Sequence, residues 1–248
     1  MTIKINKLIF EKITFSNFQH NEMIKIIQNN GLFVFPSAPG LASIYSKKTY
    51  YESLKNADLV FFDSSFFVLL LKFFKNISVI RFSGFKFLKL YFDYLKKNKN
   101  SKIFFIDPSK IKSINNSKFI KKLGLKKNNI LNFIAPFYDP NNLKDKNLLS
   151  QINKFKPNII LINIGGGTQE VLGNYLKNNL KFSCKIICTG AAISFFTKDQ
   201  APINDLIDKF YLGWFIRLIF NPISFPKRLI YSLKLIKIVK NSNCEIIK

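Results

Sequence analysis

Five short apolar runs constrain this chain more than anything else in it. They are GLFVFPS (31–37), DLVFFDSS (58–65), SKIFFIDPS (101–109), NIILINIGGG (158–167) and CKIICTGAA (184–192). Each ends in Ser, Asp, Pro, Gly or Thr, the residues of turns. The last two are continuous apolar strands, the pattern of strands buried on both faces of a parallel sheet. NNILNFIAPFYDP (128–140) reads as a further strand running into a Pro-bounded loop. Helical stretches alternate with these runs. APGLASIYSKKTYYESLKNA (38–57) is expected to form one helix and FFVLLLKFF a short apolar one. VIRFSG is a short strand or loop. FKFLKLYFDYLKKN has helical periodicity, with Phe85, Leu88 and Phe92 on one side and lysines opposite. Strand-then-helix alternation predicts a doubly wound α/β sheet. Ligands of such sheets bind outside the carboxyl ends of the strands. The strand ends here carry Ser37, Asp63, Asp107, Gly165 to Gly167, Thr189 and Gly190.

Bulk properties narrow the classes of partner. The chain has 248 residues and 48% hydrophobic content, enough for one large domain or a domain with an appendage. Its formal charge of +25 points to anionic partners: nucleic acid, anionic lipid or phosphorylated substrates. Abundant Lys, Asn, Ile and Phe also fit an AT-rich coding sequence, so part of that charge is open to a compositional origin. The first residues, MTIKINKLIFEKITF, have scattered charges and no unbroken apolar core, so no secretory signal is expected. LVFFDSSFFVLLLKFF is interrupted by Asp63 and Lys72 and is shorter than the roughly 20 apolar residues of a membrane span. Cys184, Cys188 and Cys244 make no disulfide framework, and Cys184 and Cys188 are expected as core thiols. A single histidine, His20, in a polar stretch, leaves no basis for a His-rich metal site or a His-dependent triad.

Three constellations can carry chemistry. Gly165, Gly166 and Gly167 stand between a strand and a helix opening on Thr168, Gln169 and Glu170. Backbone N–H groups and the helix dipole favour an anion at such a place. The spacing matches neither a P-loop nor the dinucleotide fingerprint, and a tight turn that needs small residues is the plain alternative. Asp63 ends an apolar strand, where a carboxylate can act as a general base or cap the following helix. From Asp208 onward, aromatic residues such as Trp214 and Tyr231 interleave with Arg217, Lys227, Arg228, Lys234 and Lys237, and strand–helix alternation is absent. This segment, broken by Asn221-Pro222 and Phe225-Pro226, reads as short helices suited to a membrane interface. Stacking on single-stranded nucleic acid and a helix packed on the domain are the alternatives. The division expected is 1–208 and 209–248.

The order ADLVFFDSS, VIRFSGFKFLKLY, KPNIILINIGGGTQEVLGNYL, KIICTGAAISFF…QAP and LGWFIRLIFNPISFPKRLIY resembles the WecG/TagA/CpsF glycosyltransferases, glycosyltransferase family 26. The resemblance runs from about Val34 to Tyr231. It implies a Rossmann-like, mostly parallel sheet flanked by helices, with a short helical C-terminal appendage. It implies an enzyme peripheral on the inner face of the cell membrane. That enzyme moves an N-acetylmannosamine-type or related sugar from a UDP donor to a polyprenyl-diphosphate-linked acceptor, with inversion and with no metal or cofactor. Asp63 falls on the family's proposed base. Arg81 and Gly84 match its arginine and glycine motif. Gln169, with Glu170 and the Gly165–Gly167 turn, matches its glutamine motif and is assigned a catalytic contact. Arg217 and Arg228 match the arginines of the appendage. Ser37, Thr168, Thr189 and Gly190 complete the expected substrate site. The chain departs from the family pattern at Phe35 and Ser37, Ser64, Lys86, Thr168, Gln200 and Gly213. Those departures leave a second reading, a non-catalytic relative that binds a nucleotide-sugar or a membrane partner. A nucleic-acid-binding protein is the third class, and no nucleic-acid motif accompanies the charge. An apolar appendage of this kind also suits a homo-oligomer contact.

Overall fold

The computed structural model describes residues 6–19, 22–197, 199 and 224–247. Its sheet contains β1 (Lys7–Phe10), β2 (Ile13–Ser16), β3 (Gly31–Val34), β4 (Leu59–Phe61), β5 (Ile103–Asp107), β6 (Ile130–Ile134), β7 (Ile159–Ile162), β8 (Lys185–Cys188) and β9 (Cys244–Ile247). The spatial order is β6-β5-β7-β8-β3-β4-β2-β1-β9. Every pairing from β6 to β2 is parallel, and β1 runs antiparallel to both β2 and β9. The fold is thus α/β with a mostly parallel sheet, as the alternating runs predict.

Ten α-helices are described: α1 (Met23–Ile26), α2 (Ala38–Leu41), α3 (Lys48–Lys55), α4 (Ser65–Lys75), α5 (Gly84–Lys97), α6 (Lys110–Lys122), α7 (Lys146–Phe155), α8 (Thr168–Asn179), α9 (Ser224–Ser232) and α10 (Lys234–Asn241). They cover both faces of the sheet because the central strands are apolar on both sides. Leu32, Val34, Phe104, Ile106, Ile160, Ile162, Ile186 and Cys188 join one core with α3, α4, α7, α8 and α10. Their neighbours Phe33, Ile103, Phe105, Ile159, Leu161 and Ile187 join the other, with α1, α5 and α6. This is the period-2 alternation of a strand with two buried faces. Cys184 and Cys188 are buried thiols.

Several local expectations change. The stretch 38–57 forms two helices, α2 and α3, rather than one. VIRFSG is a loop. Phe85 is half-buried and stacks on Phe196 at 5.0 Å, while Phe87, Leu88, Tyr91, Phe92 and Leu95 form the buried stripe of α5. The hairpin β1–β2 turns at Glu11 and Lys12, both at positive φ (50° and 61°), without the Asn or Gly that marks such turns. The C-terminal segment carries α9 and α10 but ends in a strand, β9, which completes the sheet beside β1. His20 lies outside the described residues.

Strand register aligns the functional ends. Ile106, Ile162, Cys188, Val34 and Val60 pair in succession across β5, β7, β8, β3 and β4. One residue beyond this row stand Asp107, Asn163 and Thr189. Three residues beyond it stand Gly165, Ser37 and Asp63. A parallel sheet therefore brings residues far apart in the chain to one edge.

Candidate active site

These strand ends open on a cleft of about 450 Å³, lined by Ser37, Asp63, Lys112, Asn116, Asn163, Gly165, Gly166, Gln169, Glu170, Thr189, Gly190 and Arg228, among others. Most of the residues singled out from the sequence thus meet in one place. Arg81 and Gly84 bond to Asp63 and Gly167 bonds to Glu170, while Thr168 opens α8; none of the four is part of the lining. Arg217, Gln200 and Gly213 lie outside the described residues.

Asp63 does not cap α4. That helix is capped by Ser64, whose Oγ accepts from the Phe67 N–H at 3.2 Å. Asp63 instead turns towards the start of α5, where its Oδ1 accepts from the Gly84 N–H at 2.9 Å. The loop before α5 grips the Asp63 backbone as well. Arg81 Nε donates to the Asp63 carbonyl at 2.9 Å, and the Phe82 N–H donates to the Phe62 carbonyl at 3.0 Å. Arg81 and Gly84 therefore hold the half-buried carboxylate at the cleft. Gly84 also lets α5 approach β8, since a Cβ there would lie 3.2 Å from Thr189 Cγ2.

The glycine turn divides into two parts. Gly167 has φ +93°, a conformation that side chains resist. Gly165 and Gly166 are not at positive φ, and a Cβ on either would meet nothing within 4 Å. What glycine leaves at 165 and 166 is open space above the backbone.

Gln169 and Glu170 are almost fully buried, at 3% and 2% exposure. Glu170 Oε2 accepts from the Gly167 N–H at 2.6 Å, and Oε1 accepts from Gln169 Nε2 at 2.9 Å. Gln169 Oε1 accepts from the Gly190 N–H at 2.7 Å. The pair ties the turn after β7 to the turn after β8, where Gly190 has φ +57°. Burial pushes the Glu170 carboxyl up to about 7, against the pull of its hydrogen bonds from Gln169 and Gly167. Two amides near the helix start are used internally: Gly167 by Glu170, and Gln169 by the Gly165 carbonyl at 3.1 Å.

A third cluster was not assigned from the sequence. Asp107 is completely buried, and Asn116, Asn163 and Asn132 all donate to it. Burial raises its carboxyl above the ordinary carboxylate value, while the hydrogen bonds from Asn163, Asn132, Asn116 and Ser113 oppose the rise. The visible signals are Asp107, which stands at a strand end, and Asn163, a polar residue inside an apolar run. Nothing in the spacing brings Asn116 to it. Lys112, on the same helix as Asn116, pairs with Asp199 at 3.4 Å.

The C-terminal segment reaches the cleft through Arg228 on α9. Helix α9 packs on α2, and α10 packs on α4 and α2. Exposed apolar side chains include Ile230 and Leu233 on or after α9, and Leu69 and Phe73 on α4, the helix on which α10 packs. Among the described residues, no helix is long and apolar enough to cross a membrane, and no group of three or more His, Cys, Asp or Glu is placed to hold a metal ion.

No curated protein matches the sequence. A sequence model of the glycosyl transferase WecG/TagA/CpsF family matches residues 3–243. That match runs from β1 to the end of α10 and includes the segment that supplies Arg228, so the chain belongs to the WecG/TagA/CpsF family of glycosyl transferases.

Proposed function

We propose that the chain is an inverting, metal-independent transferase of cell-surface polysaccharide synthesis. It moves an N-acetylmannosamine-type or related sugar from a UDP-sugar to a polyprenyl-diphosphate-linked acceptor. The observation that carries this reading is one cleft holding Asp63 at its β4 side and the open Gly165–Gly166 turn at its β7 side.

In this reading Asp63 takes the proton of the acceptor hydroxyl. The hydroxyl oxygen attacks the anomeric carbon, and the bond from that carbon to the phosphate oxygen breaks. Its electron pair leaves with UDP. A positioned base of this kind contributes about 10²–10⁴-fold. The leaving diphosphate gains negative charge and needs donors already in place. The Gly166 and Thr168 N–H groups at the start of α8, with Arg228 and Lys112, are assigned that task. Gln169 and Glu170 act as positioning residues, because their side chains hold the two turns together. Arg81 and Gly84 position Asp63.

The segment 209–248 is assigned to the membrane surface on the inner face. Leu229, Ile230 and Leu233 supply apolar contact, and Lys227, Lys234 and Lys237 attract anionic lipid. Exposed Leu69 and Phe73 of α4, on which α10 packs, are assigned to the same role.

The test is thermal shift of the full chain against UDP and a panel of UDP-sugars, with and without Mg²⁺, followed by a transfer assay with the stabilising donor. A shift that Mg²⁺ leaves unchanged is expected. No shift with any of them on folded protein would remove the uridine donor. For the membrane, Ile230→Ser with Leu233→Ser is expected to reduce co-sedimentation with anionic liposomes, and unchanged co-sedimentation would reject the surface.

A further inference from the structure

The Asp107 cluster sets two acceptors without partners among the residues of the cleft lining. Asn116 Nδ2 and Asn163 Nδ2 donate to the same oxygen, Asp107 Oδ1, at 2.7 and 2.8 Å, and Asn132 Nδ2 donates to Oδ2 at 3.1 Å. A carboxylate accepts and does not donate, so it draws the amide nitrogens inward and fixes which end of each amide faces away. The ends that face away are Asn116 Oδ1 and Asn163 Oδ1. Both are buried without a hydrogen-bond partner, on residues 1% and 6% exposed that line the cleft. Thr189 Oγ1, also on the lining, is in the same condition. Buried acceptors without partners are uncommon and costly, by about 1–3 kcal/mol each.

We propose that Asn116 and Asn163, oriented by Asp107, read the nucleoside end of the donor by accepting hydrogen bonds from its O–H or N–H groups. The assignment rests on the nucleotide-sugar reading given above and deepens it.

The sheet sets the order of the subsites. Neighbouring strands lie about 4.8 Å apart. Asp63 follows β4, the glycine turn follows β7 three strands away, and Asp107 ends β5, one strand further. With the reacting sugar at Asp63 and the diphosphate over Gly165 and Gly166, the part of the ligand left over the β5–β7 ends is the nucleoside. The chemistry agrees. Two carbonyl oxygens beside a carboxylate repel phosphate, but they suit ribose hydroxyls or the imide N–H of a uracil ring. Neither asparagine reaches the anomeric carbon in this arrangement, so both set specificity rather than perform the transfer.

The experiment measures calorimetric binding of UDP, 2′-deoxy-UDP, 3′-deoxy-UDP and N3-methyl-UDP to the full chain and to Asn116→Ala and Asn163→Ala. The unmodified chain is expected to lose about tenfold in affinity for at least one analogue. The deoxy analogues report the ribose, and the methylated one reports the base. The matching alanine variant is expected to bind UDP about tenfold more weakly and to show little further loss for that analogue. Equal affinity of the unmodified chain for all four ligands would overturn the assignment while leaving the nucleotide reading intact. A loss that persists undiminished in both variants would overturn it as well. No binding of UDP to folded protein would overturn the nucleotide reading, and this assignment with it. The analogue series on the unmodified chain decides the matter even where an alanine variant fails to fold.

Discussion

Asp63 and Asp107 both follow apolar strands of one sheet, and both sit by the same cleft, yet their surroundings are opposite. Asp107 is fully buried and held by three asparagine amides. Asp63 is half-buried, lines the cleft and accepts one backbone N–H from the start of α5. A carboxylate closed in by side-chain amides spends its acceptor capacity on orienting them. One that lines the cleft, with an Oδ1 that accepts from the start of the next helix, stands where incoming groups arrive. On the proposed reading, the same residue type at two strand ends of one sheet divides into a chemical site and an architectural one.

The largest expected effect tests the chemical half. Asp63→Asn is expected to lower transfer by about 10²–10⁴-fold while the unfolding midpoint stays nearly unchanged. Full activity would take Asp63 out of the base role. The next concerns Glu170, a second carboxyl on the architectural side. Its pKa lies at about 7 in the folded chain, above the ordinary value of about 4.3 for an unfolded one. Between those values the native state binds more protons than the unfolded state, so stability falls as pH rises through that window and levels off above it. The full fall attributable to Glu170 is about 4 kcal/mol, of which roughly 2–3 kcal/mol lies between pH 5 and pH 7.5. Urea titrations at pH 5 and pH 7.5 should show it, and Glu170→Gln should shrink the difference. An equal difference in the variant would assign the slope elsewhere. Smaller still, Gly167→Ala is expected to cost about 1–2 kcal/mol of stability because of its positive φ. Gly165→Ala and Gly166→Ala should leave stability within about 0.5 kcal/mol and weaken UDP binding instead. A stability loss at 165 or 166 matching that at 167 would erase the distinction between the two parts of the turn.

The central strands were legible because burial on both faces leaves no polar residue to interrupt IILI or IFFI. Asp63, Ser37 and the glycine turn were legible for a related reason: the polar residue that ends such a run marks the strand's carboxyl end. The hairpin at Glu11 and Lys12 was not, since its turn uses neither Asn nor Gly and its strands are four residues each. One helix was expected across 38–57, but the chain breaks between α2 and α3. The asparagine cluster was hidden because Asp107, Asn116, Asn132 and Asn163 belong to four different elements or loops, and only the parallel register collects them. Chemistry drawn from one strand end can be read locally. Chemistry assembled from several needs the sheet.

The pairing of β9 with β1 has a practical consequence for the membrane question. The chain's last strand lies against its first, so α9 and α10 are a span anchored at its far end rather than a dangling arm. Cutting the chain before α9 would strip β1 of its outer neighbour and leave a row of unpaired N–H and C=O groups, an invitation to edge-to-edge aggregation. A shortened protein that pellets would then mimic lipid binding, and one that misfolds would mimic its loss. Point changes at Ile230 and Leu233, which leave the zipper of the two termini closed, separate adhesion to a bilayer from the integrity of the sheet.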